Sequence, residues 1–165
     1  MKNKCLGKGT KIKMHDLSLK EIENIHINDK ILGSNNGDII IETIQGFGKL
    51  YKISQSNGIN YIVNEAFTLC LYFNDTIHNL DKTKKIKNYI SHFSFSINYS
   101  NYIEMEIKDY IECIKNPDIQ HYLMGYNIEK SYSTLKIEEY PNDYYYGIKL
   151  HKHSYFQLED GTIIN

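Results

Sequence analysis

The chain has 165 residues, a length that suits one domain with a single hydrophobic core. Nineteen basic and twenty acidic residues leave a formal net charge of −1, so bulk charge gives no reason to expect a nucleic-acid or membrane partner. No apolar run approaches the roughly 20 residues of a membrane span, and the N-terminus lacks the apolar segment of a secretory signal. Three cysteines in unrelated contexts (Cys5, Cys70 and Cys113) make neither a disulfide framework nor a zinc motif. Their odd number indicates a reducing compartment and one reactive thiol.

Short stretches of alternating polar and apolar residues predict β-strands throughout the first half of the chain. A strand at 11–14 runs into a polar break at 15–18 that is typical of a hairpin turn, and a further pattern spans 20–33. Asn36-Gly37 predicts a tight turn, because both residues tolerate positive φ. Other strands are expected at 39–44, 50–54, 61–64 and 68–73, with glycine-bearing turns at 46–48 and 56–58. Short strands separated by regular turns favour a β sandwich, barrel or horseshoe.

The second half combines one helix with a return to short strands. The pattern loosens between residues 74 and 101, where the charged run at 81–85 predicts an exposed loop. Apolar residues at helical spacing from Ile107 to Ile114, followed by Pro117, predict a helix. Strands are expected at 134–137, 144–150 and 154–158, and a turn at 159–161 leads into a last strand at 162–164. The chain has no internal repeat or linker, so we expect no domain boundary.

Four blocks of the sequence resemble those of inteins, the protein-splicing domains. Residues 5–12 (CLGKGTKI) resemble the opening block, in which a nucleophilic Cys is followed by Gly-Thr and the first strand. Residues 20–33 resemble the strand–turn–strand pattern that follows, with Asn28 where Gly is usual. Residues 61–71 resemble the second block, and residues 146–165, which end on Asn165, resemble the last. The length resembles that of a mini-intein without a homing endonuclease, and the helix-bearing region 103–126 is similar to nuclear mini-inteins of eukaryotes.

This resemblance implies an all-β Hint horseshoe of short curved strands, with pseudo-two-fold symmetry and one or two short helices. It implies that residues 1–4 flank a single self-splicing domain at 5–165; whether the flank is native stays open. The implied reaction is a single-turnover self-processing, not the work of a turnover enzyme. Cys5 attacks the carbonyl of Lys4 in an N–S acyl shift, and the side chain of Asn165 later cyclises and cleaves the bond after it. In the family a Cys, Ser or Thr after the final Asn accepts the acyl group, and the flanking segments are joined.

The resemblance also sets expectations about partners. It implies no cofactor and no metal. The partners are the flanking segments in cis, with no nucleic acid and no membrane, and a monomer is expected. The location follows the host protein, in the cytoplasm or nucleus.

Several positions depart from the intein pattern. Asn64 and Phe67 stand where the second block usually has Thr and His, and Ile164 stands where a His usually precedes the final Asn. In the last block, Ser154 replaces the usual His, and either Gly147 or His151 replaces the usual Asp, depending on the subtype aligned. Asn64 is either a turn residue or a donor to an oxyanion, whereas Phe67 cannot move a proton.

Two histidines are candidates for the missing acid–base groups, because imidazole exchanges its proton near neutral pH. We expect His151 and His153 to alternate along a strand and to share one face. We favour His153, which adjoins the usual His position, although the pair can equally be a solvated strand face. Cys70 and Cys113 are expected in the core. The other histidines (His15, His26, His78, His92 and His121) are expected to be structural or on the surface.

Two alternative functions come from other classes. One is a self-cleaving Hint domain that does not ligate its flanks. The other is a decayed, non-catalytic β-rich binding module, which the missing histidines would explain. A mass measurement of cleavage between Lys4 and Cys5 would separate these alternatives.

Overall fold

The structure is a computed structural model that describes residues 4–34, 36–76, 79–93, 96–97 and 101–165. His78, three of the four flanking residues (1–3) and Asn35 of the expected turn lie outside this part of the chain. The described residues form short strands and two α-helices, so the chain is mostly β, as the sequence predicts. None of these helices is both long enough and apolar enough to cross a bilayer.

The elements fall into three groups along the chain. The strands before the first helix are β1 (Leu6–Gly7), β2 (Lys11–Lys13), β3 (Leu19–Glu21), β4 (Lys30–Ile31), β5 (Asp38–Gln55), β6 (Tyr61–Asn64) and β7 (Thr68–Phe73). The middle group is α1 (Leu80–Ser91), β8 (Ser96–Ile97), β9 (Tyr102–Glu106), α2 (Ile107–Cys113) and β10 (Leu123–Gly125). The last strands are β11 (Leu135–Leu150), β12 (Phe156–Gln157) and β13 (Ile163–Ile164).

The main sheet has the order β11-β1-β6-β5-β4, and β11 also pairs with β5. The two long strands run antiparallel from the pair Leu135–Gln55 to the pair Leu150–Ile40. The short first strand is inserted between β11 and β6, where Leu6 is opposite Tyr146 on one side and Val63 on the other. Four strands, β11, β1, β6 and β5, therefore close a circuit of pairings, and β1 is one of its members.

A second sheet with the order β10-β7-β9-β8 carries the other half of the core. In its central pair Cys70 is opposite Glu104, and Leu71 is opposite Ile103. The last two strands form a hairpin in which Phe156 pairs with Ile164, and an isolated bridge joins Thr162 to Asn127. This hairpin places Asn165, the residue after β13, against β9 of the second sheet. Alternation along the strands buries the apolar side chains between the sheets, including Ile12, Ile31, Ile53, Leu71 and Ile103, none of which has exposed surface.

The glycine-bearing turn predicted at 46–48 is wrong, because β5 continues through it. Gly46 is opposite Tyr145 in β11, and the ring of Tyr145 occupies the space that a Cβ at Gly46 would need. Gly46 therefore serves close packing inside a strand instead of a change of direction. The interruption expected between 137 and 144 is also absent: β11 passes through it with a register shift between Tyr140 and Asp143.

The exposed loop predicted at 81–85 is also wrong, since these residues lie in α1. Asn79 caps this helix, and its side chain accepts hydrogen bonds from the N–H groups of Asp81 and Lys82, each at 3.1 Å. Ile86 and Ile90 are buried one turn apart, so a narrow apolar stripe docks a helix whose other faces are charged. The helix predicted before Pro117 is confirmed as α2, which buries residues 107, 110 and 113.

Two of the predicted turns are confirmed. A hairpin joins β2 to β3 across residues 15–18, with Lys13 opposite Leu19. Asn36 and Gly37 have φ of 68° and 89°, the left-handed values that the Asn-Gly pair tolerates. The strands predicted at 61–64 and 68–73 are confirmed residue for residue as β6 and β7.

Candidate functional site

Cys5 lies immediately before β1 and is fully buried. Its backbone makes a reciprocal pair of hydrogen bonds with Asn64, the last residue of β6. The N–H of Cys5 donates to Asn64 Oδ1 at 3.0 Å, and the N–H of Asn64 donates to the carbonyl of Cys5 at 3.1 Å. The N–H of Cys5 belongs to the peptide bond after Lys4, so Asn64 holds the bond that the sequence predicts to be cut. In this contact Asn64 accepts, whereas the sequence analysis considered it as a donor.

Gly147 allows β11 to pass directly over the thiol. A Cβ at this position would lie 2.8 Å from Cys5 Sγ and 3.1 Å from the carbonyl oxygen of Lys4. No side chain fits there without displacing one of these two groups, because Cβ contacts under 3.0 Å essentially never occur. Gly147 and His151 are the two positions that align with the usual Asp. Gly147 is the one beside the sulfur, and it has no side chain where the family usually has a carboxylate.

Burial raises the pKa of the Cys5 thiol to about 11. The thiolate is disfavoured because a buried charge loses its hydration. At neutral pH the group is therefore almost entirely a thiol, which is a weaker nucleophile than the thiolate.

The other end of the chain reaches the same place. The backbone oxygen of Asn165 accepts a hydrogen bond from Lys4 Nζ at 2.7 Å, across 161 residues of sequence. The side-chain Nδ2 of Asn165 donates to Glu104 Oε1 at 2.6 Å and to the Tyr102 hydroxyl at 3.3 Å. The structure thus brings Lys4 and Asn165, the predicted cyclising residue, into direct contact beside β9.

Cys70 is buried as expected, but it also borders this site. Its sulfur lies 3.1 Å from the Tyr102 hydroxyl, which also contacts the side chain of Asn165. Burial raises the pKa of the Cys70 thiol to about 11, and the hydrogen bond from Tyr102 opposes this rise. The pKa of Tyr102 is itself raised, first by burial and then by Cys70, so the hydroxyl keeps its single proton, which it can donate to Cys70 Sγ or to Glu104 Oε1 but not to both at once. Cys113 is fully buried in α2, as predicted.

The prediction that His151 and His153 alternate along a strand is wrong. Both are exposed, in a turn that follows β11, and His153 has a φ of 54°. The N–H of His151 donates to the carbonyl of Ile39, and that of His153 donates to the carbonyl of Leu150. The strand ends here because Asp38 binds the turn. His151 and His153 therefore do not lie on one face of a strand, as the sequence analysis expected.

Asp38 accounts for the turn that carries the histidines. Its carboxylate is almost fully buried and accepts hydrogen bonds from the N–H of Lys152 at 2.9 and 3.0 Å and from the Ser154 hydroxyl at 3.0 Å. Burial alone would raise the pKa of Asp38, but these bonds and the N–H of Ile39 hold it below its ordinary value. Ser154, at the usual His position of the last block, is thereby committed to a structural contact.

The remaining departures from the intein pattern are apolar and buried. Phe67 is 1% exposed and packs edge-on against Tyr61, with ring centroids 6.4 Å apart. Ile164 is 2% exposed and pairs with Phe156. Neither can transfer a proton, so both places that usually hold a His are filled with core residues. In the described part of the chain, no three His, Cys, Asp or Glu residues are grouped as a metal site would require.

Sequence reasoning missed Glu104 and Tyr102 as members of the site, and it named Gly147 only as one of two positions where the usual Asp is replaced. The alternation of polar and buried residues in β9 was the available signal, since Tyr102 and Glu104 share a face opposite Ile103 and Met105. This alternation shows that the strand has one buried and one polar face, but it does not show what the polar face contacts. The contact depends on how the β12–β13 hairpin returns to this sheet.

Solved intein structures match almost the entire chain. The gp41-1 intein aligns with a TM-score of 0.63 and 19% identity over 98% of both chains. A bacterial intein-like domain from Clostridium thermocellum aligns with a TM-score of 0.60 and 12% identity, over 97% of this chain and 96% of that one. A DnaB intein from Synechocystis aligns with a TM-score of 0.57 and 9% identity, over 98% and 97%. Neither a protein-family model nor a curated protein matches the sequence.

These likenesses establish the fold. The chain has the all-β Hint fold of inteins, as the sequence predicted, with the two described α-helices between β7 and β10. The expected similarity to eukaryotic nuclear inteins finds no support among these structures.

Proposed function

We propose that the chain is a protein-splicing domain that cuts the peptide bonds at both of its ends and joins the flanking segments. The contact that carries the proposal is the 2.7 Å hydrogen bond between Lys4 Nζ and the backbone oxygen of Asn165. It supports a single site for the two reactions, because the residue before the first bond touches the residue before the second. In this proposal residues 1–4 are flank and residues 5–165 are the domain.

The first step is attack of Cys5 Sγ on the carbonyl carbon of Lys4. A sulfur–carbon bond forms and the carbon–nitrogen bond of the peptide breaks, which leaves a thioester and the free amine of Cys5. The proton that the thiol loses balances the proton that the nitrogen gains, so the step needs no co-reactant. Asn64 Oδ1 holds the departing N–H, and the absence of a side chain at Gly147 leaves room for the sulfur.

The later steps concern the other end of the domain. A Cys, Ser or Thr after Asn165 takes the acyl group from the thioester, as in the family that the sequence resembles. Asn165 Nδ2 then attacks its own backbone carbonyl and releases the joined segments, leaving a succinimide. The domain acts alone on flanks in cis, as a monomer without a cofactor, nucleic acid or membrane.

His151 and His153 stay candidates for acid–base work in this proposal. Their exposed turn directly follows β11, the strand whose Gly147 lies against the thiol. A role in proton transfer would require the turn to present an imidazole towards Asn165.

The test is a precursor that carries a folded reporter before residue 5 and a second reporter, beginning with Cys, after Asn165. We expect a ligated product, identified by its mass, in the parent. Cys5→Ala should abolish dithiothreitol-induced cleavage after Lys4, and Asn165→Ala should abolish release of the second reporter. His151→Ala and His153→Ala report on the histidines through the rate of that release.

The outcomes separate the alternative functions. Cleavage at either end without a ligated product indicates a self-cleaving domain. An intact precursor after prolonged incubation, with and without dithiothreitol, indicates a decayed module and contradicts the proposal.

A further inference from the structure

The side chain of Asn165 is bound by groups that no intein block in this sequence supplies. Its Nδ2 lies 2.6 Å from Glu104 Oε1 and 3.3 Å from the Tyr102 hydroxyl, both on β9. The Tyr102 hydroxyl in turn lies 2.9 Å from Glu104 Oε1. These three groups form a closed triangle of contacts, and one of its corners, Nδ2, is the atom that would act as the nucleophile in cyclisation.

The positions of Glu104 and Tyr102 follow from strand geometry. Residues two apart in a strand lie on one face, and Cys70 is opposite Glu104 on the neighbouring strand. The β12–β13 hairpin places Asn165 over this face. Both side chains of β9 are partly buried, whereas Asn165 is exposed, so the carboxylate approaches the amide from the protein side.

An amide nitrogen is a poor nucleophile because its lone pair is delocalised and its protons are held tightly. A carboxylate that accepts one of these protons as the new bond forms increases its nucleophilicity. The groups that usually assist this step are absent here, since Ile164 and Ser154 occupy their places and are held in other contacts. Glu104 supplies the carboxylate in contact with Nδ2, whereas the other contact, the Tyr102 hydroxyl, keeps its proton and cannot act as the base.

We propose that Glu104 is the general base for Asn165 cyclisation and that Tyr102 is a positioning residue that orients its carboxylate. This inference rests on the proposed function. As the Nδ2–C bond forms, one Nδ2 proton passes to Glu104 Oε1, and the peptide bond after Asn165 breaks. The departing amine takes a proton from solvent, and the carboxyl group returns its proton to solvent. Nδ2 keeps its second proton as the succinimide N–H.

The experiment uses the precursor with both reporters and measures two rates. The first is release of the C-terminal reporter, with the succinimide identified by mass. The second is dithiothreitol-induced cleavage after Lys4, which does not use Asn165. Glu104→Gln preserves shape and removes the base; we expect C-terminal release to slow by about 10²-fold or more while the thiol cleavage keeps the parent rate.

Two further variants distinguish a base from a structural contact. In Glu104→Ala, added formate should partly restore C-terminal release, because a small carboxylate can enter the space left by the side chain. Tyr102→Phe should slow release less than Glu104→Gln does, and the double variant should be no slower than Glu104→Gln alone, since a positioning effect disappears with the group it positions.

Glu106→Gln is the matched control. Glu106 is on the same strand and the same face, two residues further on, and pairs with Lys108 at 3.4 Å. This variant should release the C-terminal reporter at the parent rate.

The outcomes separate this inference from the proposed function. A parent that releases no C-terminal reporter contradicts the proposed function. A competent parent whose Glu104→Gln variant releases the reporter at the same rate overturns the role of Glu104 alone. Equal loss of both rates in Glu104→Gln, with no response of Glu104→Ala to formate, would show a structural contact and would also overturn it.

Discussion

Burial determines how the sulfur of Cys5 can react. The residue has no exposed surface and its pKa is raised to about 11, so the reactive thiolate is scarce at neutral pH. In return, the sulfur is fixed beside the carbonyl oxygen of Lys4, with the backbone of Gly147 against both. Under the proposed function, the site would combine a weakly activated nucleophile with close positioning, and positioning of this kind can lower a barrier substantially.

The first prediction at this scale concerns the ionisation of Cys5. The ultraviolet absorbance of thiolate, taken as the difference between the parent and Cys5→Ala, should show about 1% ionisation at pH 9, since the pKa lies two units higher. An ordinary thiol, with a pKa of 9.0, would be half ionised there. A difference signal that is half complete at pH 9 would contradict the burial argument.

A second prediction concerns the space above the sulfur. Gly147→Ala places a methyl group 2.8 Å from Cys5 Sγ and 3.1 Å from the carbonyl oxygen of Lys4, so the relative position of these two groups must change. We expect thiol-induced cleavage after Lys4 to slow by roughly 10-fold to 100-fold, the usual cost of a displacement near 1 Å. Gly48→Ala is the control, because its new Cβ would find its nearest neighbour, in the Tyr145 ring, at 3.9 Å. Equal rates in both variants would show that Gly147 does not position the thiol.

Single residues of the site were predictable to different degrees. Cys5, Asn64 and Asn165 could be predicted because each belongs to a local block with a recognisable order. Glu104 could not, since its partner is 61 residues away and the pairing depends on the path of the whole C-terminal hairpin. His151 and His153 were misplaced because Asp38, more than 110 residues away, holds their backbone in a turn.

At the scale of elements, the turn between β12 and β13 positions Asn165. Asp160 fixes this turn: its Oδ1 accepts the N–H of Thr162 at 3.0 Å, and its Oδ2 accepts the N–H of Ile59 at 3.0 Å. Gly161 follows with a φ of 86°. The last strand is thereby attached to the loop after β5, and this attachment directs Asn165 towards β9.

Asp160→Ala should therefore slow release of the C-terminal reporter and leave thiol-induced cleavage after Lys4 in place. The loss of two hydrogen bonds to a charged group should destabilise the fold by about 2 kcal/mol or more. We expect C-terminal release to slow while thiol-induced cleavage after Lys4 continues in the folded fraction, which circular dichroism quantifies. Glu159→Ala, an exposed neighbour in the same turn, serves as the comparison. Loss of both cleavages in a protein that is still folded would contradict a local role for the turn.

Elements were predicted best where the side-chain pattern is strong in both period and length. The strands β6 and β7 have β-branched and aromatic residues in short uninterrupted runs, and both were predicted correctly. The helix α1 was missed because only Ile86 and Ile90 are buried, and five charged or polar residues precede them. The glycines in β5 indicated a turn, since sequence alone does not show that the Tyr145 ring from β11 packs against Gly46.

At the scale of the whole molecule, three buried thiols link stability to alkaline pH. Burial raises the pKa values of Cys5, Cys70 and Cys113 to about 11, from 9.0 in an exposed thiol. A raised pKa means that the folded state keeps the proton longer than the unfolded state. The contribution of the protonated thiols to the free energy of unfolding is therefore fully present below pH 9, and it is lost as the pH rises from 9 to 11.

Cys113→Ala tests this linkage away from the site. At pH 7 the variant should lose on the order of 1 kcal/mol of unfolding free energy, because a buried group is removed from the core. The parent should lose stability between pH 9 and 10.5, and the variant should lose less, by roughly 1–2 kcal/mol, since one fewer thiol is forced to ionise on unfolding. Urea unfolding at several pH values measures both; parallel curves for the two proteins would contradict the linkage.

The contact between Lys4 and Asn165 has a consequence for where such a domain could work. Lys4 precedes the nucleophile, so under the proposed function it belongs to the host and not to the excised domain. The hydrogen bond to the Asn165 carbonyl is then supplied by whatever residue the insertion site provides. A host with an apolar or acidic residue at this place would leave that oxygen without its cationic donor. Under the proposed function, portability between hosts would therefore be limited by a side chain that the domain does not encode.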